Sequence, residues 1–269
     1  MADDGNPPRV LLLATGGTIS MQVDAAKGGA VPSLTGRQIL DALPGVDRIA
    51  SVEVREFGRY PGPHMTIERM WELRAAILTA LAEDFVGVVV THGTDTLEET
   101  SYLLDRSLPA DKPVVMTGAM RNATELSWDG PVNLMAAIEV AVARESRGRG
   151  TMVVMDEEIV QGAEVVKTHT EAAGTFRSPN WGPLGVTDKG EALFYRESRR
   201  KAPLMPASRP MRAPSAPVMG SGWLPVGVER QCLDLQKVLT NHCRFCAQAL
   251  DWATIIGVLH EPTRQKSRK

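Results

Sequence analysis

Three short segments of the sequence combine glycine with hydroxyl or charged side chains. They are Thr15-Gly-Gly-Thr18, Thr91-His-Gly-Thr-Asp95 and Thr117-Gly-Ala-Met-Arg121. Glycine lets backbone approach a ligand closely, and a threonine hydroxyl becomes a nucleophile when a base or a desolvated amine lies within hydrogen-bond distance. Each segment taken alone is better explained as a tight turn between a strand and a helix. The case for nucleophilic chemistry therefore depends on the three segments together.

Lys167 is the candidate amine, because it directly follows two apolar residues in Glu164-Val-Val-Lys167 and does not stand in a run of charges. A lysine in such a context can lie in a crevice and assist a hydroxyl nucleophile. The alternative is a surface lysine on an edge strand, which is where most lysines lie.

Local chemistry leaves two assignments open for the loop that contains Thr94 and Asp95. In the first, Thr96 is the N-cap of a helix and Glu99 reaches back to it as a capping box, so that Thr94 and Asp95 can point into a crevice. In the second, Asp95 is itself the N-cap.

Metal and nucleotide sites find little support. His92 and His169 are not an i, i+4 pair on a helix, and no carboxylate cluster has metal-ligand spacing. A zinc site in the last 40 residues would have to use His242, Cys232, Cys243 and Cys246, and a single C-x-x-C pair is a weak signal. No segment matches the phosphate-binding pattern G-x-x-x-x-G-K-[ST] or the dinucleotide pattern G-x-G-x-x-G. We therefore expect neither a metal site nor a nucleotide cradle.

Apolar runs alternate with segments of helical periodicity over the first 200 residues. The runs that indicate strands buried on both faces are Val10–Ala14, Val86–Thr91, Val114–Thr117 and Met152–Met155. The predicted helices are Thr35–Leu43, Thr66–Ala82, Thr96–Asp105 and Pro131–Arg144. Capping boxes open the first and third helices, from Thr35 to Gln38 and from Thr96 to Glu99, and a proline stands in the first turn of the fourth.

This alternation predicts an α/β fold, with a mainly parallel sheet and helices on both faces. Ligands bind at the carboxyl ends of the strands in such sheets. The three loops that contain glycine and threonine each follow a predicted strand, so the fold would bring them to one edge of the sheet.

Composition narrows the functional classes. The chain has 269 residues and a formal charge of -2, so no strong field attracts nucleic acid or an anionic membrane. Its longest aliphatic runs, Val10–Ala14 and Val86–Val90, are far shorter than the roughly 20 residues that span a bilayer. Asp3 and Asp4 precede the first apolar run, unlike the basic start of a signal peptide, so we expect a cytoplasmic location.

The composition changes near residue 200. Residues 201–269 contain 10 Lys/Arg and 4 Asp/Glu, and six prolines fall between Lys201 and Pro225. We interpret this stretch as a linker, followed by one amphipathic helix around residues 235–250 and a basic end. Residues 1–200 are then one α/β domain, and residues 201–269 are an atypical short C-terminal segment.

Four motifs, in this order and spacing, resemble the bacterial-type L-asparaginase/glutaminase family. They are Ala14-Thr-Gly-Gly-Thr-Ile19, Thr91-His-Gly-Thr-Asp-Thr-Leu-Glu-Glu-Thr100, Pro113-Val-Val-Met-Thr-Gly-Ala-Met-Arg121 and Asp129-Gly-Pro-Val-Asn-Leu134. Val165–Thr170 and Ser178–Gly185 extend the similarity, which covers about residues 10–195. The resemblance implies a flavodoxin-like N-terminal domain and a homotetramer. It also implies hydrolysis of an amino-acid side-chain amide to ammonia, without metal or cofactor.

The resemblance also implies roles for individual residues. Thr18 is similar to the nucleophilic threonine of the family, Thr94 to its second catalytic threonine, and Lys167 with Asp95 completes a Thr-Lys-Asp constellation. Asp95 would also pair with the α-ammonium group of the substrate. The substrate-binding residues that the resemblance implies are Gly17, Gly62, Pro63, Thr94, Asp95 and Ala119, and backbone N–H groups of the glycine-rich turns and of Ala119 would stabilise an oxyanion.

The sequence departs from the family at three places. Met21–Leu34 contains no tyrosine, whereas this loop in the family usually supplies one that orients the nucleophile. Gly62 stands where the family commonly has a serine that binds the substrate carboxylate, so backbone groups or His64 would have to serve. The smaller C-terminal domain of the family has no recognisable counterpart after about residue 200. A second hypothesis therefore stays open: an impaired or inactive amino-acid-binding relative that lacks the C-terminal half of the active site.

Overall fold

The computed structural model describes residues 6–198. The strands are β1 Arg9–Gly16, β2 Met21–Asp24, β3 Gly29–Pro32, β4 Ser51–Tyr60, β5 Gly87–Thr91, β6 Val114–Thr117, β7 Thr151–Met155, β8 Glu158–Gln161, β9 Val166–Lys167, β10 Phe176–Arg177, β11 Gly185–Asp188 and β12 Glu191–Phe194. The α-helices are α1 Gly36–Leu40, α2 Ile67–Leu81, α3 Leu97–Ser107 and α4 Gly130–Val142. Short 3-10 turns cover Thr18–Ser20, Val46–Arg48, Gly62–His64, Arg144–Ser146 and Ala173–Thr175.

Eight of the strands in residues 6–198 form one sheet in the order β12-β11-β8-β7-β6-β5-β1-β4. The neighbours from β4 to β7 run parallel, and β8, β11 and β12 extend the sheet in antiparallel fashion from β7. Numbered along the chain, the five parallel strands have the order 2-1-3-4-5, which is flavodoxin-like. The winding reverses between β1 and β5, so a ligand crevice is expected at the carboxyl ends of these two strands.

The central strands are buried on both faces, as their sequence predicts. Leu11 and Leu13 of β1 pack in a core with α2 and α3, whereas Val10 and Leu12 pack on the other face with α1 and α4. All four side chains are at most 3% exposed. Burying one such side chain contributes roughly 1.5–3 kcal/mol, and a strand covered on both sides needs no polar alternation. The prediction of an α/β fold with helices on both faces is confirmed.

The strand β4 was not predicted from the sequence. It lies at the edge of the sheet beside β1, and most of its residues are only partly buried. Charged residues such as Glu53 and Arg55 alternate with Val52 and Val54 along it, and Arg55 forms an ion pair with Glu83. An edge strand with one wet face therefore lacks the continuous apolar run that identified the central strands.

The predicted caps of two helices are confirmed. The Thr35 hydroxyl accepts from the Gln38 backbone N–H at 3.1 Å, and the Gln38 side chain accepts in return from the Thr35 N–H at 2.9 Å. Pro131 lies in the first turn of α4. The first helix ends at Leu40, three residues earlier than predicted.

One set of predictions falls outside residues 6–198, and a second can be checked only within them. The linker and helix predicted for residues 201–269, with the histidine and cysteines considered for zinc, lie outside the described residues. Among residues 6–198, no helix is long and apolar enough to cross a membrane.

Candidate functional site

The loops after β1 and β5 meet at the point where the sheet winding reverses. The Thr15 hydroxyl donates to the Thr91 carbonyl at 2.8 Å, which joins the carboxyl ends of the two strands. The Gly17 N–H donates to the Tyr60 carbonyl at 2.9 Å, so the end of β4 is tied to the same place. Three neighbouring parallel strands, β4, β1 and β5, thus bring their C-terminal loops to one edge of the sheet, where a ligand crevice is expected. The sequence predicts this for β1 and β5 but not for β4.

Three glycines, one in each of the loops after β1, β4 and β5, bring these loops into direct backbone contact. A Cβ atom on Gly17 would lie 2.5 Å from the Gly93 Cα, and a Cβ on Gly93 would lie 2.5 Å from the Gly62 Cα. Gly17 also has a φ of 80° and a ψ of -179°, a region open essentially to glycine alone. The glycine requirement is therefore steric, and it brings three loops closer together than side chains would allow.

Thr18 and Thr94 each follow one of these glycines. Thr18 begins a 3-10 turn and is partly buried, and the turn is held by the Ser20 hydroxyl, which donates to the Gly17 carbonyl at 2.8 Å. Thr94 is 5% exposed. Because Gly17 and Gly93 are in contact, the two threonines come from adjoining points of the crevice wall.

Lys167 reaches Thr94 and Asp95 with one ammonium group. Its Nζ donates to the Thr94 Oγ1 at 3.0 Å and to the Asp95 Oδ1 at 3.1 Å. The Lys167 side chain is 12% exposed, whereas that of Asp95 is 52% exposed. Lys167 is therefore not a surface lysine, and a hydroxyl, an amine and a carboxylate are connected in this order.

The position of Lys167 depends on a small antiparallel pair, β9 with β10, in which Lys167 pairs with Phe176. The backbone N–H of Lys167 donates to the Glu98 carboxylate in the first turn of α3. This bond ties the lysine strand to the helix that follows Asp95. Glu98 was not predicted as a site residue from the sequence. Its position directly after the Thr94–Leu97 segment places it beside the site and could have identified it.

The structure supports the first N-cap assignment, in which Thr96 begins the helix, but not the capping box that was predicted with it. Thr96 is the N-cap residue of α3, but its side chain makes no capping hydrogen bond, so the capping box predicted with Glu99 is wrong. The Thr96 hydroxyl instead donates to the Gly62 carbonyl at 2.9 Å and holds the β4–α2 turn against the β5–α3 loop. Asp95 is not the N-cap, because its carboxylate pairs with Lys167.

Glu99 is a further acidic group behind Lys167 that sequence reasoning assigned only to capping. Its Oε2 atom is enclosed and has no hydrogen-bond partner in the structure. The pKa of Glu99 is raised to about 7. Burial is the main cause, and the negative charges of Glu98 and Asp95 also raise it, whereas a backbone hydrogen bond and Lys167 lower it. The group therefore changes charge close to neutral pH.

Replacing Glu99 with glutamine should stabilise the protein at about pH 8 and have little effect at about pH 5. The unfolded chain releases the Glu99 proton near pH 4.5, whereas the folded protein keeps it up to about pH 7. The free energy of unfolding therefore falls as the pH rises from about 4.5 to about 7. The loss in the parent amounts to roughly 3 kcal/mol, and the variant removes it, which raises Tm at about pH 8 by about 5 °C or more. Thermal unfolding at both pH values measures the difference. Glu68→Gln, on the exposed first turn of α2, is the control. An equal Tm change at both pH values would contradict the assignment.

The two histidines considered as metal ligands have structural roles. His92 is fully buried, which lowers its pKa to about 4, and its Nδ1–H donates to the Gly93 carbonyl at 2.8 Å. The His169 Nδ1 accepts from the backbone N–H groups of Glu171 and Ala172. In the described part of the chain, no group of three His, Cys, Asp or Glu side chains could hold a metal.

The third loop, after β6, packs against the second. A Cβ on Gly118 would lie 2.7 Å from the His92 carbonyl and 3.4 Å from the Thr94 Cγ2, and the next residue, Ala119, is fully buried. Asp129 fixes this loop by accepting from the backbone N–H groups of Met120 and Arg121. The backbone around Ala119 is therefore held rigidly beside Thr94.

The segment Met21–Leu34, which contains no tyrosine, includes the hairpin of β2 and β3. Its first residue, Met21, accepts from the Ala123 N–H at 2.9 Å, so the hairpin is connected to the loop after β6. Tyr60 lies at the end of β4, and its carbonyl accepts from Gly17. The ring of Tyr60 packs against the core and under the Arg69 guanidinium, 4.1 Å from its centroid.

A separate groove of about 300 Å³ lies beside α4 and is lined by residues such as Pro131, Val132, Met135 and Glu139. It contains none of the threonines, glycines or the lysine that converge in the crevice. We place the candidate site in the crevice, because shape alone does not supply a nucleophile and a base.

Known proteins are similar to the part of the chain that contains the candidate site. The family model described as "Asparaginase, N-terminal" matches residues 9–200. A Deinococcus radiodurans protein named "Probable L-asparaginase" is 43% identical over 185 residues, which are 69% of this chain and 55% of that protein. A Haemophilus influenzae protein named "Probable L-asparaginase periplasmic" is 37% identical over 203 residues, 75% of this chain and 58% of that protein.

A solved structure is also similar. The crystal structure of the "Probable Cytoplasmic L-asparaginase" from Campylobacter jejuni has a TM-score of 0.65 and 35% sequence identity. The similarity covers 70% of this chain and 57% of that one. This chain spans a little over half the length of each of these relatives.

Proposed function

This chain belongs to the asparaginase family, and we propose that it releases ammonia from the side-chain amide of L-asparagine, with L-glutamine as a second candidate substrate. One observation carries the proposal above all. Lys167 Nζ lies 3.0 Å from the Thr94 hydroxyl and 3.1 Å from the Asp95 carboxylate, and the close approach of Gly17 to Gly93 brings Thr18 to the adjoining loop. An ammonium group that donates to a hydroxyl prepares it to pass protons during reaction at a neighbouring nucleophile.

The reaction has two steps in this proposal. The Thr18 Oγ1 attacks the amide carbon, the C–N bond breaks, and ammonia leaves with the proton of the threonine hydroxyl. A water molecule beside Thr94 then attacks the acyl-enzyme ester. One of its protons passes through the Thr94 hydroxyl to the Thr18 oxygen as the ester C–O bond breaks, and the acid product releases its other proton to solvent and leaves as the carboxylate.

Substrate binding is proposed to use Gly17, Gly62, Pro63, Thr94, Asp95 and Ala119. Asp95 is half exposed and faces the crevice rim, where its second oxygen can accept from a substrate ammonium group. Backbone N–H groups of the glycine-rich loops and of Ala119 would bind the developing oxyanion, because rigid amides aimed at that charge need no reorganisation.

The remaining expectations are also proposals. Hydrolysis by this set of side chains needs no cofactor or metal, and the substrate is a small amino-acid amide. We also propose a homotetramer, which the family resemblance implies, and a cytoplasmic location. The names of the relatives differ on location, one periplasmic and one cytoplasmic. Residues 1–200 are proposed as the family's N-terminal domain, and residues 201–269 as a segment other than its usual C-terminal domain.

A catalytically inactive amino-acid-binding relative is the second candidate function. Two observations favour it. The segment Met21–Leu34 has no tyrosine, and Gly62 offers no hydroxyl.

Ammonia release from L-asparagine and L-glutamine, measured beside thermal shift with L-aspartate, separates the two functions. We expect both ammonia and an L-aspartate shift. Asp95→Asn should reduce both, because a charge-assisted hydrogen bond contributes about 1.5–3 kcal/mol. Asp188→Asn, on the exposed end of β11, should change neither. A thermal shift without ammonia would select the binding protein.

A further inference from the structure

The 3-10 turn that carries Thr18 lies beside the loop between β6 and α4. The Ala123 N–H of this loop donates to the carbonyl of Met21, the residue that follows the turn, at 2.9 Å. Ile19, the residue next to Thr18, is fully buried and belongs to the apolar cluster against which Trp128 packs. One loop therefore supplies both a hydrogen bond and an aromatic ring at this turn.

Gly130, the first residue of α4, lies between the Trp128 indole and Ile19. A Cβ atom on Gly130 would lie 2.5 Å from the Trp128 Nε1 and 2.8 Å from the Ile19 Cγ1. Both side chains therefore lie against the same side of this glycine. Because glycine has no Cβ, the indole, the start of α4 and the turn that carries Thr18 can pack closely together.

Hydrogen bonds on both sides of Trp128 hold it in place. Its backbone N–H donates to the Glu125 carbonyl at 3.2 Å, and the Glu125 carboxylate accepts from the Asn122 N–H at 2.9 Å. The Asp129 carboxylate accepts from the Asn133 Nδ2 at 3.0 Å, which ties the residue after Trp128 to α4. The ring is therefore attached to a braced loop, and its contact can fix the position of Ile19.

The indole N–H of Trp128 makes no hydrogen bond of its own. Its Nε1 atom is enclosed and has no acceptor among residues 6–198. A buried indole N–H usually finds a partner, and an unpaired one opposes folding. Apolar packing is therefore what the ring contributes here. The segment that directly follows the turn, Met21–Leu34, contains no aromatic residue that could supply the same contact.

We propose that Trp128 is a positioning residue for the nucleophile: its ring packs beside Ile19 and fixes the turn from which Thr18 attacks the amide carbon. This inference rests on the proposed function, because it concerns the nucleophile of the same hydrolysis. Misplacing a reacting group by about 1 Å can cost about 100-fold in rate. Loss of the ring should therefore slow the reaction and spare binding at Asp95, which lies on the loop after β5.

The test measures kcat for ammonia release from L-asparagine and the thermal shift caused by L-aspartate in two variants. We expect Trp128→Ala to lower kcat about 100-fold and to retain the L-aspartate shift. Trp128→Phe keeps an aromatic ring and lacks the unpaired N–H, so its kcat should stay within about 5-fold of the parent. Parental kcat in Trp128→Ala would overturn the proposal, and so would a phenylalanine variant as slow as the alanine variant.

Trp71→Ala is the matched control for loss of a tryptophan ring. Trp71 of α2 is also partly buried, but it packs against the apolar cluster on the opposite face of the sheet from Ile19. We expect this variant to lower Tm, as Trp128→Ala does, and to keep parental kcat. An equal loss of kcat in both variants would show a general effect of destabilisation and would overturn the positioning role.

Two further outcomes are distinguishable. If Trp128→Ala does not fold, Trp128→Leu retains an apolar contact that is shorter than the indole, and its kcat should fall about 10-fold with the L-aspartate shift retained. Parental kcat in that variant would overturn the proposal. If the parent itself releases no ammonia, the proposed function fails and this inference fails with it, whereas an active parent with an active Trp128→Ala overturns this inference alone.

Discussion

Replacing Lys167 with methionine should lower the rate of ammonia release about a thousandfold and leave the fold intact. Lys167 Nζ donates to Thr94 and Asp95. Loss of a positioned group that assists proton transfer typically costs about 100- to 10,000-fold. Methionine keeps the length and apolar stem of lysine. Asp95 is 52% exposed, so its lost ion pair contributes less than about 1 kcal/mol to stability.

Lys112→Met is the matched control for this substitution. The Lys112 Nζ also donates to two acceptors, the carbonyls of Leu81 at 3.0 Å and Glu83 at 2.7 Å, but neither carbonyl belongs to the candidate site. The control should keep parental kcat/KM, whatever it does to Tm. Parental activity in Lys167→Met would remove the lysine from the mechanism.

Replacing Gly17 with alanine should destabilise the protein by more than about 3 kcal/mol and abolish activity. The new Cβ would lie 2.5 Å from both the Cα and the N of Gly93, which are backbone atoms that cannot rotate away. The alanine residue would also have to adopt a φ of 80° with an extended ψ, and this conformation costs about 1–3 kcal/mol by itself. Relief requires the loops of Thr18 and Thr94 to separate, so the site is lost with the stability. Urea unfolding measures the effect.

Gly148→Ala measures the part of that cost that a positive φ alone contributes. Gly148 has a φ of 81°, nearly that of Gly17, but nothing lies within 4 Å of an added Cβ. We expect a loss of about 1 kcal/mol and parental activity. Equal losses for the two alanine variants would mean that the Gly17–Gly93 contact contributes nothing.

The central part of the fold could be predicted because it is buried on both faces. The runs at β1, β5, β6 and β7 have no polar alternation, and nothing but a covered parallel sheet suits them. The edge strand β4 and the antiparallel strands β8, β11 and β12 are short or half exposed. Their sequences do not distinguish them from loops, and the structure identifies them by pairing alone.

The site could be predicted as a set of loops but not as a set of contacts. Sheet topology brings the ends of β1, β5 and β6 together, and the family resemblance, which the comparisons confirm, points to the same residues. The Thr96 hydroxyl was misassigned because a local capping pattern competes with a bond to Gly62, 34 residues away. The burial of Glu99 and the close approach of Asp95 to Gly62 likewise depend on residues that are far apart in the sequence.

Trapping of the acyl-enzyme with hydroxylamine tests the nucleophile most directly. Hydroxylamine attacks the ester in place of water, so the full chain turning over L-asparagine should form aspartyl β-hydroxamate in proportion to the hydroxylamine added. The account predicts that Thr18→Ala forms neither hydroxamate nor ammonia while it retains the L-aspartate thermal shift. Hydroxamate formation by Thr18→Ala at the parental rate would contradict it.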